Sequence, residues 1–207
     1  MWELEETQHY TMSKISCWQA LARAVELADG GQLPTTCRDR WRRERDRIFD
    51  WVETHCWSEK LQAFVMYPGS EKLDAAVALA VRFRFDGADR LRATLKALDR
   101  HLGAGVFHYR YTGMQDEEGC FIACSFWIAE AWATLGEPDK ARARIDGLRQ
   151  ALGGRWGMLT AMIDPHTGAY LGNMPQGLSH LAHLTALTAI GQAQTSSPQP
   201  ETETFHD

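Results

Sequence analysis

The sequence lacks several features that would place it in a specialised class of protein. Its 207 residues contain no stretch of about 18 consecutive apolar residues, the minimum for a membrane-spanning helix. The first residues, MWELEETQHY, are acidic where a secretory signal would be basic and then apolar. We therefore expect a cytoplasmic protein that does not bind membranes.

An excess of basic residues is also missing. The chain has 22 lysines and arginines against 27 acidic residues, a formal net charge of −5, and this balance argues against a general nucleic-acid binder. Six arginines do cluster in residues 38–47, but acidic residues alternate with them. Such a pattern is typical of a solvated helix face with ion pairs, so we expect no nucleic-acid partner.

Cysteine pairs with metal-ligand spacing are absent as well. The five cysteines are an odd number and form no C-x-x-C motif; they lie at Cys17, Cys37, Cys56, Cys120 and Cys124. The last two are four residues apart, so we expect them to share one face of a helix as small apolar groups. His180 and His183 have no third ligand nearby in the pattern. The sequence therefore predicts reduced thiols, no metal site and no cofactor.

The chain is rich in helical periodicity, and strand patterns are almost absent. Predicted helices span about 13–29, 36–56, 72–83, 87–102, 120–135, 137–152 and 175–194. Segment 120–135 is apolar nearly all round and should be buried, whereas 36–56 and 137–152 are amphipathic. This alternation favours an all-α fold in which apolar helices line a ring and amphipathic helices coat it.

Two long connections, 103–119 and 153–174, separate these helices, and long loops in a compact domain are commonly functional. The first combines aromatic, arginine and carboxylate side chains: His108, Tyr109, Arg110, Tyr111, Asp116, Glu117 and Glu118. These groups could stack on a sugar or base and bind hydroxyls or anions, but taken alone they are better explained by a solvated surface loop. We assign residues 1–193 to one domain and 194–207 to a disordered polar tail.

A series of short motifs carries a more specific signal. In chain order they are Trp-Glu at 2–3, His-Tyr-Thr-Met-Ser-Lys at 9–14, Leu-Asp-Ala-Ala at 73–76, Tyr-Arg-Tyr at 109–111, Glu-Glu-Gly-Cys-Phe at 117–121, Asp-Pro-His-Thr-Gly at 164–168 and Leu-Gly-Asn-Met-Pro-Gln at 171–176. This series resembles glycoside hydrolase family 15, the glucoamylase and bacterial trehalase-like enzymes. The resemblance covers residues 2–190.

The resemblance implies an (α/α)6 toroid with its pocket at one end and inverting hydrolysis of α-glucosidic bonds. Such chemistry uses two carboxyl groups about 6.5–9.5 Å apart, a general acid and a general base. By resemblance Glu3 is the general acid, and the substrate-binding residues are Trp2, Arg110, Tyr111, Glu117 and Glu118. The implied ligands are α-linked glucosides or oligosaccharides, and no cofactor is implied.

The sequence departs from the family pattern where the general base is expected. The family has a glutamate three residues before Asp-Pro, and this chain has Ala161 there, in Leu-Thr-Ala-Met-Ile-Asp-Pro. A methyl group cannot accept a proton from water, so hydrolysis should be impaired unless Glu117, Glu118 or Asp164 substitutes.

The second departure is length. Six or seven main helices correspond to the C-terminal half of a toroid, which would expose the apolar inner face of the ring. A homo-oligomer or a complementing chain would have to cover that face. The sequence thus favours a truncated, impaired α-glucoside hydrolase. The alternatives are a non-catalytic carbohydrate-binding or helical interaction module, or a helical repeat scaffold, although no fixed-period repeat is visible.

Overall fold

The computed structural model describes residues 2–85, 87–153 and 157–195. The α-helices are α1 (Thr11–Asp29), α2 (Arg38–His55), α3 (Leu79–Arg82), α4 (Ala88–Leu102), α5 (Ile122–Thr134), α6 (Pro138–Leu152) and α7 (Gly177–Thr195). Short 3-10 helices precede two of them, at Thr35–Cys37 and Ala75–Ala78. The predicted helical architecture is therefore confirmed.

Helix α5 is the centre of the hydrophobic core. Every residue from Ile122 to Ala133 is buried, and the helix packs against α3, α6 and α7. Its sequence is apolar on all sides, so it has no face that gains from contact with water. Gly136 ends the segment with a positive φ of 85°, a conformation that glycine adopts without steric cost.

Helices α1 and α2 form a hairpin beside this core. Much of α2 is solvated, and its arginines form ion pairs with neighbouring carboxylates. The pairs are Arg38 with Asp29 and Asp39, Arg42 with the same two aspartates, Arg45 with Asp46, and Arg47 with Glu44. The interpretation of this segment as a solvated, ion-paired face is confirmed.

Short β-strands lie in the connections that are predicted from the sequence to be loops. They are β1 (Trp57–Ser58), β2 (Ala63–Phe64), β3 (Gly103–Ala104), β4 (Phe107–His108), β5 (Cys120–Phe121), β6 (Met162–Ile163) and β7 (Tyr170–Leu171). They form antiparallel pairs β1–β2 and β3–β4 and a three-stranded sheet β5–β6–β7. Gly119 allows the last sheet to form, because a Cβ there would lie 2.6 Å from the Ile163 carbonyl oxygen.

Two local predictions need correction. Cys120 lies in strand β5 rather than on a helix with Cys124, because its backbone pairs with Ile163 across the sheet. The helix predicted over 72–83 is shorter and begins as a 3-10 turn, because Leu73 and Asp74 are extended and pair with the segment 110–112. The predicted tail 194–207 lies, apart from its first two residues, outside the described residues.

The segments that lead into α1, α3, α5 and α7 are hydrogen-bonded to other segments at one end of the helix array. The Thr11 amide donates to the Met66 carbonyl oxygen at 2.9 Å, and the Ala75 amide donates to that of Arg110 at 2.8 Å. The Ile122 amide donates to the Ala161 carbonyl oxygen at 3.1 Å. This end of the molecule therefore gathers the motifs that the sequence analysis singled out.

Candidate functional site

Trp2 stands at the centre of an aromatic cluster at that end. Its ring lies 6.3 Å from Tyr111, 5.7 Å from Phe121 and 6.3 Å from Trp127, measured between ring centroids. These partners come from the 109–111 segment, strand β5 and helix α5. The half-buried indole thus connects the N-terminal segment to the core, and the neighbouring Glu3 is exposed.

Arg110 lies against the same cluster and is held by Glu118. Its guanidinium donates to both carboxylate oxygens of Glu118 in a bidentate pair. Its carbon atom Cζ lies 5.2 Å from the Trp2 ring centroid and 5.5 Å from that of Tyr111, which is cation–π distance. Glu118 raises the pKa of Arg110 further above its ordinary value, so the positive charge is permanent.

Asp74 contributes a buried carboxyl group to this cluster. Its Oδ1 atom accepts hydrogen bonds from the Trp2 indole Nε1 at 2.9 Å and from the Ala76 amide at 2.8 Å. The residue is only 3% exposed, and burial raises the pKa of its carboxyl to about 6, although these two hydrogen bonds and Arg110 oppose the rise.

A cavity of about 350 Å³ opens beside Tyr111. Its wall combines aromatic and charged groups: Leu4, Glu5, Glu6, Tyr10, Met66, Tyr67, Lys72, Tyr111 and Glu117. Tyr10 and Tyr67 meet edge to face, with ring centroids 5.9 Å apart. Aromatic faces surrounded by polar groups are a surface that can bind one sugar ring.

Ala161 lies in the connection between α6 and α7. Its amide donates to the Asn173 carbonyl oxygen at 2.9 Å, and its carbonyl oxygen accepts from Ile122. The side chain is 5% exposed and faces Gly172, where an added Cβ would lie 3.1 Å from the alanine methyl. Ile122 directly follows Phe121, on which Trp2 packs, so Ala161 belongs to the same end of the molecule.

The structure thus brings together Trp2, Arg110, Tyr111 and Glu118, with Glu117 on the adjoining cavity. Sequence reasoning assigned no role to Asp74, Tyr10, Tyr67 or Lys72, although Asp74 stands in the quoted Leu-Asp-Ala-Ala motif. The signal that could have identified Asp74 is its position as the N-cap of a helix that follows an extended segment. The three other residues are close to the site only because of tertiary folding.

Comparison with known protein families identifies the family of this chain. The family model of glycosyl hydrolases family 15 matches residues 1–153, well over half of the chain. The chain belongs to glycosyl hydrolase family 15.

Relatives of this family 15 chain include trehalases from two mycobacterial species. The trehalase of Mycolicibacterium smegmatis is 34% identical over 203 residues, which is 94% of this chain and 30% of that protein. The trehalase of Mycobacterium tuberculosis is 32% identical over 203 residues, which is 94% of this chain and 29% of that protein. The chain therefore spans under a third of the length of these relatives.

Solved structures confirm the fold of the family 15 chain. A glycosidase variant in complex with glucose superposes with a TM-score of 0.78 at 16% identity, over 91% of this chain and 53% of that one. The glucoamylase from Saccharomycopsis fibuligera superposes with a TM-score of 0.75 at 12% identity, over 93% and 57%. The observed helices therefore correspond to about half of an (α/α)6 toroid.

A second polar cluster in the family 15 chain has the residue types of a hydrolase triad. His108 Nδ1 lies 3.3 Å from Ser125 Oγ, and His108 Nε2 lies 3.1 Å from Asp99 Oδ1. Burial lowers the pKa of His108, and the His108 hydrogen bond and the Arg144 charge outweigh burial to lower that of Asp99. Ser125 is 2% exposed, so this cluster holds α4, α5 and α6 together and offers no nucleophile to a substrate.

The remaining residues that the sequence singled out have structural partners. His180 Nε2 accepts a hydrogen bond from the Leu159 amide at 3.2 Å, and the His183 ring stacks on Phe126. Among residues 2–85, 87–153 and 157–195 no group of three metal-ligating side chains occurs. None of the helices in these ranges is long and apolar enough to cross a membrane.

Proposed function

We propose that this chain forms the sugar-binding end of a family 15 glycoside hydrolase that acts on α-linked glucosides. Glu3 serves as the general acid, and Trp2, Arg110 and Tyr111 hold the sugar. The observation that carries the proposal is the single cluster of Trp2, Tyr111 and the guanidinium of Arg110. Tryptophan and tyrosine faces with an arginine fork match the apolar faces and hydroxyl groups of a pyranose.

Glu117 and Glu118 are the substrate-binding carboxylates of the proposal. Glu118 acts through Arg110, because both its oxygens accept from the guanidinium and hold it in one orientation. Glu117 is exposed on the 350 Å³ cavity, where it can accept hydrogen bonds from sugar hydroxyls directly. The trehalases among the relatives make a disaccharide of two α-linked glucose units a suitable first ligand.

In this proposal hydrolysis is impaired, because Glu118 and Asp164 are engaged elsewhere and Glu117 binds sugar hydroxyls, so none of the three replaces the missing base at Ala161. Glu118 is engaged by Arg110. Asp164 accepts from the His166 amide at 2.8 Å and from the Thr167 hydroxyl at 2.7 Å, which turns it toward its own loop. A carboxylate committed to such bonds is a poor general base, since they lower its proton affinity.

The substitution Ala161→Glu tests the proposal. The unmodified chain should release glucose from trehalose, maltose or isomaltose at close to the background rate. A restored general base should raise kcat/KM by at least about 100-fold. Ala161→Gln is the matched control, because it has the same size and cannot take a proton. Absence of any gain in an Ala161→Glu variant that is folded and binds glucosides would contradict the proposed impairment.

A second candidate function is a non-catalytic interaction module. The leucine side chains on the outer face of α7 favour it, because Leu181 is 62% and Leu184 is 58% exposed, with Leu178 and Leu187 beside them. A second copy of the chain or a complementing chain would cover this face. Binding of a glucoside without turnover, even with Ala161→Glu, would support this function over the first. The cytoplasmic location expected from the sequence stays a prediction.

A further inference from the structure

Asp74 occupies the junction of three segments that carry the candidate chemistry. Its backbone pairs with Tyr111 in an antiparallel bridge, and the next amide, that of Ala75, donates to the Arg110 carbonyl oxygen. Its side chain accepts from the Trp2 indole at 2.9 Å. One residue thus contacts both the N-terminal Trp-Glu segment and the Arg-Tyr segment.

The surroundings of Asp74 are unfavourable for an ionised carboxyl group. The residue is 3% exposed, and helix α5 presents the fully buried thiol of Cys124 to it. Tyr111 faces it from the 109–111 segment, and the Arg110 guanidinium, which is itself paired with Glu118, is a nearby positive charge. Burial outweighs these partners and raises the pKa of Asp74.

A structural cap alone does not require this charge. The N-cap bond to Ala76 uses one oxygen, and an asparagine or serine at position 74 could accept the same bond without the desolvation penalty. A carboxylate that costs stability and stands beside a candidate site is a feature of groups retained for function.

We propose that Asp74 is the positioning residue of the candidate site: its carboxylate holds the Trp2 indole and thereby sets the place of Glu3 and of the Arg110 guanidinium. This inference rests on the proposed function for the identity of the ligand. The charged form accepts a stronger hydrogen bond from the indole than the neutral form does. Protonation of Asp74 therefore weakens the hydrogen bond that holds the Trp2 indole. Arg110 packs on the face of this ring, so its guanidinium is held less firmly as well.

The first test observes Trp2 directly and requires no activity. In protein labelled with ¹⁵N-tryptophan, the Trp2 indole resonance is assigned by its loss in Trp2→Phe and followed between pH 4.5 and 8. We expect its shift to titrate with a midpoint near pH 6, the pKa of Asp74. Asp74→Asn should abolish the titration, and Asp50→Asn, an equal charge change on the exposed side of α2, should leave it intact.

An indole resonance that does not move in this range, or that still titrates in Asp74→Asn, overturns the inference. The titration of the unmodified protein decides the question even if the asparagine variant is unstable. Asp74→Ser provides a second variant, because serine keeps the N-cap bond and loses the contact with Trp2.

The second test measures the dissociation constant of trehalose or maltose at pH 5 and pH 7.5. The unmodified chain should bind about fivefold more weakly at pH 5, the loss expected when a charge-assisted bond becomes a neutral one. Asp74→Asn should bind weakly at both values. Equal affinity at the two values beside a titrating Trp2 would show that Asp74 does not position the site. Absence of all glucoside binding would overturn the proposed function, while the indole titration would still decide the link between Asp74 and Trp2.

Discussion

Asp74 shows how burial changes the chemistry of one carboxyl group. Its pKa of about 6 lies above the value of 3.8 for an exposed aspartate, so the folded chain holds the proton more tightly than the unfolded chain does. The folded state is therefore favoured when Asp74 is protonated. Between about pH 4 and 6 the carboxyl ionises in the unfolded chain but stays largely protonated in the folded chain, so stability is progressively lost as the pH rises.

This sign gives a prediction for Asp74→Asn, which cannot ionise. The free energy of unfolding of the variant relative to the unmodified protein should rise by up to about 3 kcal/mol between pH 4 and 7. Urea unfolding at several pH values measures this change. The amide group of the variant also changes the free energy of unfolding, by an amount that does not depend on pH. The quantity to compare is therefore how the difference between variant and unmodified protein changes with pH. A difference that does not change with pH would show that Asp74 is not desolvated as described.

Some residues of the candidate site can be assigned from the sequence alone, and others cannot. The motifs at 2–3 and 109–111 are recognisable without coordinates, because their residue types match the family pattern. Asp74 is different, since its role depends on a contact with Trp2, 72 positions away in the chain. Residue spacing carries no information about a contact of that range.

Among the helices, α5 contributes a buried carboxylate, that of Glu130, to a polar contact within a mostly apolar environment. Glu130 is 6% exposed and accepts a bidentate pair from Arg82 of α3, and Thr185 of α7 donates to it at 3.1 Å. A buried carboxylate of this kind connects three neighbouring helices of the ring. The ion pair with Arg82 compensates for the free energy lost when the Glu130 carboxylate is removed from water. Removal of either partner would therefore leave the other charge unpaired.

Replacing Glu130 with alanine should therefore destabilise the protein by about 3 kcal/mol, because it removes the shared acceptor and leaves a cavity. Urea or thermal unfolding measures the loss. The matched control is Glu137→Ala, whose partially exposed pairs with Arg92 and Lys140 predict a loss of less than about 1 kcal/mol. Equal losses in the two variants would mean that the buried pair does not hold α3, α5 and α7 together.

The secondary structure illustrates what periodicity can and cannot predict. Helix α5 was predictable because twelve consecutive buried residues are nearly all apolar. The 3-10 helix Ala75–Ala78 before α3 was not predictable. The backbone of Asp74 pairs there with Tyr111, and this pairing competes with helix formation. The small sheets were missed for the same reason: two-residue strands depend on their partners and leave no alternating pattern.

For the molecule as a whole, the face of α7 opposite the core is the surface on which we expect another chain to pack. Helix α7 contains no Asp, Glu, Lys or Arg, and its buried positions Ser179, Ala182, Ala186 and Ile190 lie on one side. The leucines Leu178, Leu181, Leu184 and Leu187 are exposed on the other side. Monomers rarely expose a contiguous apolar stripe of this length, so we expect contact with another chain.

The chain should consequently self-associate at micromolar concentration and above. Leu181→Gln combined with Leu184→Gln should shift it toward the monomer, since glutamine keeps helix propensity and removes the apolar area. Sedimentation velocity over a concentration series measures this change. Leu27→Gln, at a leucine 40% exposed on α1, is the control and should have no effect. A chain that sediments as a monomer at every concentration would contradict the prediction.

The sequence by itself determined the helical class, the family and the residues of its motifs, because hydrophobic period and local residue order are properties of the chain. It also placed an alanine at position 161, where the resemblance predicts the general base. Only the tertiary structure decided that Trp2, Asp74 and Arg110 form one cluster, that Ser125 is out of reach of a substrate, and that the leucines of α7 face solvent. The physical reason is that burial, desolvation and long-range hydrogen bonds depend on which surfaces meet, and one sequence position does not record the partners that folding brings to it.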